Sequence, residues 1–401
     1  MPIKEKHLVS FRFVLAVLIM ASISIIAIWG ATPLINYASP EGYFIKQAFF
    51  YAIGLVIIVA IFNYSNDRIY SAKWVIYWFL IALLVGLAIE HIAITKFGMS
   101  IIPRAVHLNG ATSWYSIPGF SLQPSEFMKV FLVVTLADMI YEHNINGKNK
   151  MLEDDLFLIY KILKATILPI SLILLQNDTG VTLIIIASIV AIAFSAGLNH
   201  RWFSVMFIGM GLAIIIVAFL FVFHHQVIVD IFGGDYKLGR IYGWLDPEGT
   251  YEKQGYQLLN ALMSYGTSGV FGHGFQSVII NFPEAQTDFI FAVICQDFGF
   301  IGGVATLMAI LFLDFSIIYV GIRCEDPRNK YLIAGFMGML IFQQFWNIGM
   351  ILGLLPITGI TLPLLSYGGS SLLSYMVVVG MVFEAEKQTR IKEGKNRYVI
   401  N

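Results

Sequence analysis

Ten apolar segments recur along the chain, and no other feature restricts its fold as much. They lie at about 11–34, 47–62, 74–94, 124–141, 159–176, 181–197, 203–223, 288–320, 333–355 and 367–384. A helix of about 20 apolar residues crosses the roughly 30 Å hydrocarbon core of a bilayer, and only structures that satisfy every backbone polar group internally can span it. The spacing predicts an all-α polytopic membrane protein of about ten transmembrane helices. Composition agrees, since 58% of the residues are hydrophobic and only 12% are charged, against about 25% charged in soluble domains. The first segment is too long for the core of a signal peptide and has no small-residue cleavage site after it, so it reads as a retained span.

Ten spans put both termini on one side, and the distribution of basic residues says which. With the N-terminus cytoplasmic, inside segments carry 18 of the 25 Lys and Arg residues, as the positive-inside rule requires. Residues 385–401 then form a cytoplasmic tail. The division between the fifth and sixth spans rests on the short LLQNDTG (174–180), and losing it would invert everything downstream. The net charge is zero with no basic block, so nothing points to a nucleic-acid partner. Cys295 lies in an apolar run and Cys324 beside Arg323 and Glu325, a placement that argues against a mutual disulfide.

Two external segments exceed simple connectors, residues 95–123 and the large loop 224–287 between the seventh and eighth spans. Long ordered loops on a rigid scaffold are common places for binding and chemistry. The second is rich in Gly, Tyr and Trp, a composition of order rather than disorder.

Several stretches carry polar groups at the edge of, or inside, apolar segments. PEAQTDFIF (283–291) sets Glu284 and Asp288 against the start of the eighth span. Spacing alone favours Asp288 as a helix N-cap, although a partly desolvated carboxylate there also suits a general base. Glu284 reads as a solvated loop acid. QPSEFMK (123–129) places Glu126 and Lys129 three apart on one helical face. Such a pair neutralises two charges costly in a membrane, or else turns Lys129 toward a substrate phosphate. Asp138 and Asp178 read as satisfied structural groups. Trp114, with Tyr115, is either an aromatic-belt anchor or a platform on which a sugar face stacks, among the turn residues Asn109, Gly110 and Gly119. In KLGRIYGWLDPEG (237–249), Lys237 and Arg240 offer cations to an anionic ligand, as does Lys253, while Asp246 before Pro247 reads as a turn residue. SYGTSGVFGHGF (264–275) is glycine-rich without being a phosphate-binding loop. PITGITLPLLSYGGSS (356–371) breaks the helix between the ninth and tenth spans with prolines and glycines. Irregular backbone at membrane depth is tolerated only where it is buried in protein or lines a cavity, and Gln343, Gln344 and Asn347 just upstream suit a cavity wall.

NGATSWY, QPSEFMK, GYQ, PEAQTDFIF and TLPLLSYGGSS occur in this order between the predicted spans, and together they closely resemble the SEDS family (shape, elongation, division and sporulation) over nearly the whole chain. The NGATSWYSIPGF stretch is more similar to the elongation branch than to the division branch. The resemblance implies a ten-span peptidoglycan glycosyltransferase that polymerises lipid II on the outer face of the bacterial cytoplasmic membrane, working with a class B penicillin-binding protein, a transpeptidase, within the elongation machinery. By the same resemblance the essential acid is Asp288. Trp114, Arg240, Glu126 and Lys129, with Ser366 of the LLSYGGSS stretch, are the substrate-binding candidates. Thr112 and Ser113 replace the basic residues that often precede the Trp, so no cation is carried over there. Gln286 stands where many members have His, which removes one candidate proton shuttle.

The expected chemistry has Asp288 taking the proton of an acceptor sugar hydroxyl. Lys129, Arg240 or a divalent cation such as Mg²⁺ or Mn²⁺ would stabilise the departing diphosphate. The competing reading is a flippase that moves lipid II without bond chemistry, since broken helices and intramembrane charge also mark transporters. A third is a scaffold for the penicillin-binding protein, in which Asp288 is dispensable.

Overall fold

The computed structural model describes residues 9–35, 39–108, 110–146, 152–224, 226–227, 229, 235–252 and 255–399. Lys4, Lys6, Lys148 and Lys150 of the charge count lie outside the described residues, as do Asn109, Lys253 and the side chain of Lys237.

Helices dominate. They are α1 (Phe11–Ala31), α2 (Gly42–Tyr64), α3 (Asn66–Phe97), α4 (Pro124–Asn146), α5 (Leu152–Leu175), α6 (Thr179–Ser195), α7 (His200–Phe223), α8 (Asp235–Leu245), α9 (Gly255–Thr267), α10 (Ile290–Arg323), α11 (Pro327–Ile351) and α12 (Gly369–Val399). Among the described residues seven helices are long and apolar enough to cross a membrane, namely α1, α2, α3, α5, α7, α10 and α11. The chain is thus a multi-pass membrane protein. The apolar segments at 124–141, 181–197 and 367–384 fall on α4, α6 and α12, which are not among the seven.

The helical expectation holds with one addition. The 95–123 loop carries a three-stranded antiparallel sheet, β1 (Ala105–Leu108), β2 (Ala111–Ile117) and β3 (Phe120–Leu122), in the order β1-β2-β3. β2 is built from Thr, Trp, Tyr and Ile, residues that favour strands. The turns that flank it hold Gly110 at φ 79° and Gly119 at φ 80°, a conformation glycine adopts without steric cost. The sheet is tied to the helices by Tyr115, whose hydroxyl donates to Leu83 O (2.9 Å). Glu90 of α3 fixes the loop's start by accepting from Ile101 N (2.9 Å) and Ile102 N (2.7 Å).

α4 is the centre of the bundle and packs on α3, α5, α6, α11 and α12. From Met128 to Asp138 almost every side chain is buried, so one helix organises the others around it. The irregular segment 352–368, between α11 and α12, lies where α1, α2, α8 and α11 can reach its backbone. Tyr51 donates to Leu364 O, Ser24 to Leu365 O (2.8 Å), Gln47 to Ser366 O (3.2 Å), Asn347 to Ile360 O (2.7 Å) and Trp244 to Gly353 O (2.9 Å). These donors meet the requirement that non-helical backbone inside a membrane protein be satisfied by protein. They also hold Leu364 in the left-handed region at φ 61°, a conformation costing a non-glycine residue on the order of 1–3 kcal/mol.

Candidate active site

The chain turns into α10 through Glu284, which sits in the left-handed region at φ 57°. Its carbonyl accepts from Thr287 N (3.1 Å) and Phe289 N (3.3 Å), and its carboxylate accepts from the Thr287 hydroxyl (3.0 Å). This tight turn pushes the helix start one residue past the acid. The N-cap position is Phe289, with no side-chain cap bond, so the cap reading of Asp288 fails. No hydrogen-bond donor among the described residues reaches the Asp288 carboxylate, which is half-buried. Burial first and then the neighbouring Glu284 charge push its pKa up to about 7, against the pull of Arg240. Glu284 is therefore a half-buried neighbour of Asp288 and a turn-former, not the solvated loop acid its spacing suggested.

The bare carboxylate stands on a firmly held backbone. Asn347 of α11 donates one amide hydrogen to Asp288 O (2.7 Å) and the other to Ile360 O (2.7 Å). Ser366 donates to Thr287 O (2.6 Å) and accepts from Leu362 N (2.8 Å), and Tyr367 N donates to Gln286 O (2.9 Å). The 286–288 strip is in this way bolted to the 360–367 segment. Ser366, expected at the substrate, has its hydroxyl committed to that joint and positions Asp288 from behind. Gly359, at φ 76°, leaves the space into which Asp288 Oδ2 projects, since a Cβ there would lie 3.3 Å from that oxygen. Arg240 of α8 comes to the same place, its guanidinium donating to Thr358 O (3.3 Å). Asp246, as its spacing suggested, makes a turn, accepting from Gly249 N (2.9 Å).

A second polar cluster lies behind the 358–360 stretch. Lys129 Nζ is 2.6 Å from Glu126 Oε2 and 4.4 Å above the Tyr375 ring, with none of its side chain exposed. The ion pair foreseen from spacing is present, and Lys129 is sealed inside the bundle with its charge paired to Glu126. Among the described residues Arg240 is the cation that acts on Asp288. Asp178, at the N-cap of α6, accepts from Val181 N (3.2 Å), Gln123 Nε2 (2.9 Å) and Ser125 Oγ (3.1 Å). Gln123 in turn accepts from the Trp114 indole N–H (3.0 Å). Trp114 is half-buried and fixed by that bond, with part of its ring still open. Gly180, at the start of α6, packs on Ile360, so the Trp114–Gln123–Asp178 chain and the Asp288–Arg240 pair border the same few residues. Asp138 pairs with Lys73 and is, like Asp178, a satisfied structural acid.

For the expected divalent cation, no group of three His, Cys, Asp or Glu side chains is present among the described residues. Asp288 and Glu284 are the two carboxylates that could share an ion with substrate oxygens, as Mg²⁺ sites with one or two protein carboxylates do.

The family model described as cell cycle protein, FTSW_RODA_SPOVE, matches residues 7–391. The chain belongs to that family. It is 29% identical over 418 residues to a protein of Lactococcus lactis named probable peptidoglycan glycosyltransferase FtsW, covering 99% of this chain and 98% of the relative. Its fold resembles that of a chain solved in a study of structural coordination of polymerization and crosslinking by a peptidoglycan synthase complex, with TM-score 0.70, 22% identity and coverage of 95% and 98%. It also resembles the rod shape determining protein RodA of Thermus thermophilus, with TM-score 0.63, 21% identity and coverage of 95% and 97%.

In this FtsW/RodA/SpoVE-family chain the support residues Ser24, Gln47, Tyr51 and Gln123 escaped the sequence reading. Ser24, Gln47 and Tyr51 are polar groups inside α1 and α2, and intramembrane polar residues were a usable signal. Their partners are carbonyls more than 300 positions away, which no local pattern encodes.

Proposed function

We propose that the chain is a peptidoglycan glycosyltransferase that polymerises lipid II during cell-wall elongation, with Asp288 as general base. The carrying observation is the bare, half-buried Asp288 carboxylate with a pKa pushed up to about 7, held by its backbone beside Gly359, with Arg240 bound to the adjoining Thr358 carbonyl. A general base is most effective when its pKa lies near the working pH. The acceptor hydroxyl loses its proton to Asp288 as its oxygen forms a bond to the donor's anomeric carbon. The bond from that carbon to the lipid diphosphate breaks, and Arg240 stabilises the departing anion. Trp114 offers the open part of its ring to a sugar face. The transmembrane helices hold the prenyl tails, which turns an encounter of two lipids into an oriented reaction.

The positive-inside count supports ten spans with cytoplasmic termini, and hence a site on the outer face. The motif resemblance to the elongation branch supports a role in cell shape. The fold's likeness to a chain from a peptidoglycan synthase complex supports a class B penicillin-binding protein as partner.

Purified full-length protein reconstituted in vesicles, supplied with lipid II, tests the reading. Glycan chains from the parent and none from Asp288→Asn are expected, with the variant still folded and inserted. Transbilayer movement of lipid II without polymerisation by the parent would support the flippase reading instead. An Asp288→Asn variant that polymerised at the parental rate would sink the general base.

A further inference from the structure

We propose that the glycine-rich loop at residues 269–279 is a wedge seated at the edge of the bilayer leaflet on the Asp288 side, its backbone tied to the break in α10 and its apolar side chains turned to acyl chains. Irregular backbone at membrane depth needs partners from protein. The break in α10 supplies them for the Gly269–Gly274 turn and for Gln276 and Ser277, and the side chains beyond are apolar.

α10 is broken at Gly299, whose backbone takes φ 65° and ψ −157°. A helix break strands carbonyls on one side and N–H groups on the other, and the loop supplies partners for both. Gln296 O accepts from His273 N (2.8 Å) and Asp297 O from Gly274 N (3.2 Å). Across the break, Phe300 N donates to Gly269 O (3.0 Å) and Ile301 N to Val270 O (3.2 Å). The Asp297 carboxylate accepts from Gln276 N (3.2 Å), and Gln296 Nε2 donates to Ser277 O (2.6 Å). The two backbones approach so closely that a Cβ on Gly272 would lie 2.3 Å from Asp297 O, and one on Gly299 2.3 Å from Gly272 N.

The outward surface is apolar. Phe271 is 79% exposed, Val270 55%, Val278 53% and Ile279 58%. No Asp, Glu, Lys or Arg occurs from residue 254 to residue 283, although this stretch belongs to an external loop. The patch is continuous with exposed rings on the candidate spans: the Phe275 ring lies 5.1 Å from Trp29 of α1 and 6.0 Å from Phe298, and Phe300 of α10 is 70% exposed. α10 is long enough to cross hydrocarbon from Phe300 to Arg323 alone, about 36 Å at 1.5 Å per residue. The piece before the break is enclosed by protein, since Ile290 to Ile294 are all buried. The break therefore marks where α10 leaves the lipid, and the wedge sits at that level. A contiguous exposed apolar patch of this kind marks an interaction surface, and its continuity with lipid-facing rings of α1 and α10 identifies the occupant as lipid.

The test uses full-length protein with Cys295 and Cys324 replaced by Ala, reconstituted in phosphatidylethanolamine/phosphatidylglycerol vesicles. Phe271→Cys and, separately, Val278→Cys carry a nitroxide whose collisions with oxygen and with a water-soluble nickel chelate are measured. Tyr251→Cys in the charged part of the loop and Phe315→Cys on the lipid face of α10 set the two limits. Oxygen-to-nickel ratios at both wedge positions several-fold above that at Tyr251 and close to that at Phe315 are expected. A ratio at the Tyr251 level would place the loop in water and overturn the proposal. Shielding from both reagents would mean that protein covers the patch and would overturn it as well. Both labelled positions are exposed, so the substitutions remove no core packing, and the readout is independent of glycosyl transfer.

Discussion

Asp178 and Asp288 occupy matching places and differ in almost everything that follows. Each precedes an apolar helix, α6 or α10, and each borders the 358–360 segment. Asp178 caps its helix and receives three hydrogen bonds, from Val181, Gln123 and Ser125. Asp288 is displaced from the cap by the Glu284 turn and receives none among the described residues. Burial raises both pKa values and a nearby carboxylate reinforces each rise, Glu126 at Asp178 and Glu284 at Asp288, but at Asp178 three hydrogen bonds oppose it whereas at Asp288 the opposing group is the Arg240 charge. Position at a helix start does not decide the role of an acid. The unspent hydrogen-bonding capacity does, because a carboxylate already serving the backbone has less to offer a substrate.

The largest effect expected from this contrast is on Asp288→Asn. Removing a general base costs about 10²–10⁴-fold in rate, read as glycan formed per folded molecule. The same substitution should stabilise the fold at pH 8. With a folded pKa near 7 above the ordinary carboxylate value, Asp288 is favourable to folding in acid, and that contribution is lost as pH rises through about 7. Thermal unfolding of parent and variant at pH 5 and pH 8 should show the gain at the higher pH. A variant destabilised at pH 8 would mean that the carboxylate is structural, as Asp178 is.

Lys129→Met comes next and breaks the comparison from the other side. It leaves Glu126 buried without its cation, a loss of about 3–5 kcal/mol for a pair split inside a protein. The loss should appear as a lower unfolding temperature in detergent. The double variant Glu126→Gln/Lys129→Met should recover much of it, because the buried charge is gone. Full stability of Lys129→Met alone would show that the pair contributes little to the fold.

Asp178→Ala should cost about 0.5–2 kcal/mol, the usual loss for an N-cap, and should lower activity per folded molecule far less than Asp288→Asn. A larger effect on rate than on stability would move Asp178, with Gln123 and Trp114, into the chemistry.

The helices were legible in the sequence because apolar periodicity over some 20 residues leaves few alternatives in a membrane, and the Glu126–Lys129 pair because three residues on a helix fix its geometry. The bare state of Asp288 was not. It depends on Glu284 entering the left-handed region, which favours glycine and asparagine over glutamate, so residue identity pointed toward a cap. The full enclosure of Lys129 was also hidden, since spacing pairs it with Glu126 but says nothing of Tyr375 closing over it. The sheet around Trp114 lies in a segment that hydropathy marks only as a connection between spans, although its Thr, Trp, Tyr and Ile between two glycines carry a strand signal.

Glu284→Gln gives the smallest effect and the sharpest sign. The neutral amide keeps an oxygen for the Thr287 hydroxyl, so the turn that displaces Asp288 from the cap survives. It removes the charge that, after burial, does most to raise the Asp288 pKa. Asp288 must be deprotonated to accept the acceptor's proton, so activity of the parent should rise with pH through about 7. In the variant that rise should move toward lower pH, leaving the plateau at pH 8 in place and the rate at pH 6 above the parent's. Burial, the larger cause, is untouched, so the pKa falls only part of the way to the ordinary carboxylate value. A pH profile unchanged by the substitution would separate the two carboxylates electrostatically. Loss of activity at every pH, with the fold intact, would mean that Glu284 itself takes the proton, and the general base would have to be reassigned from Asp288 to its neighbour in the turn.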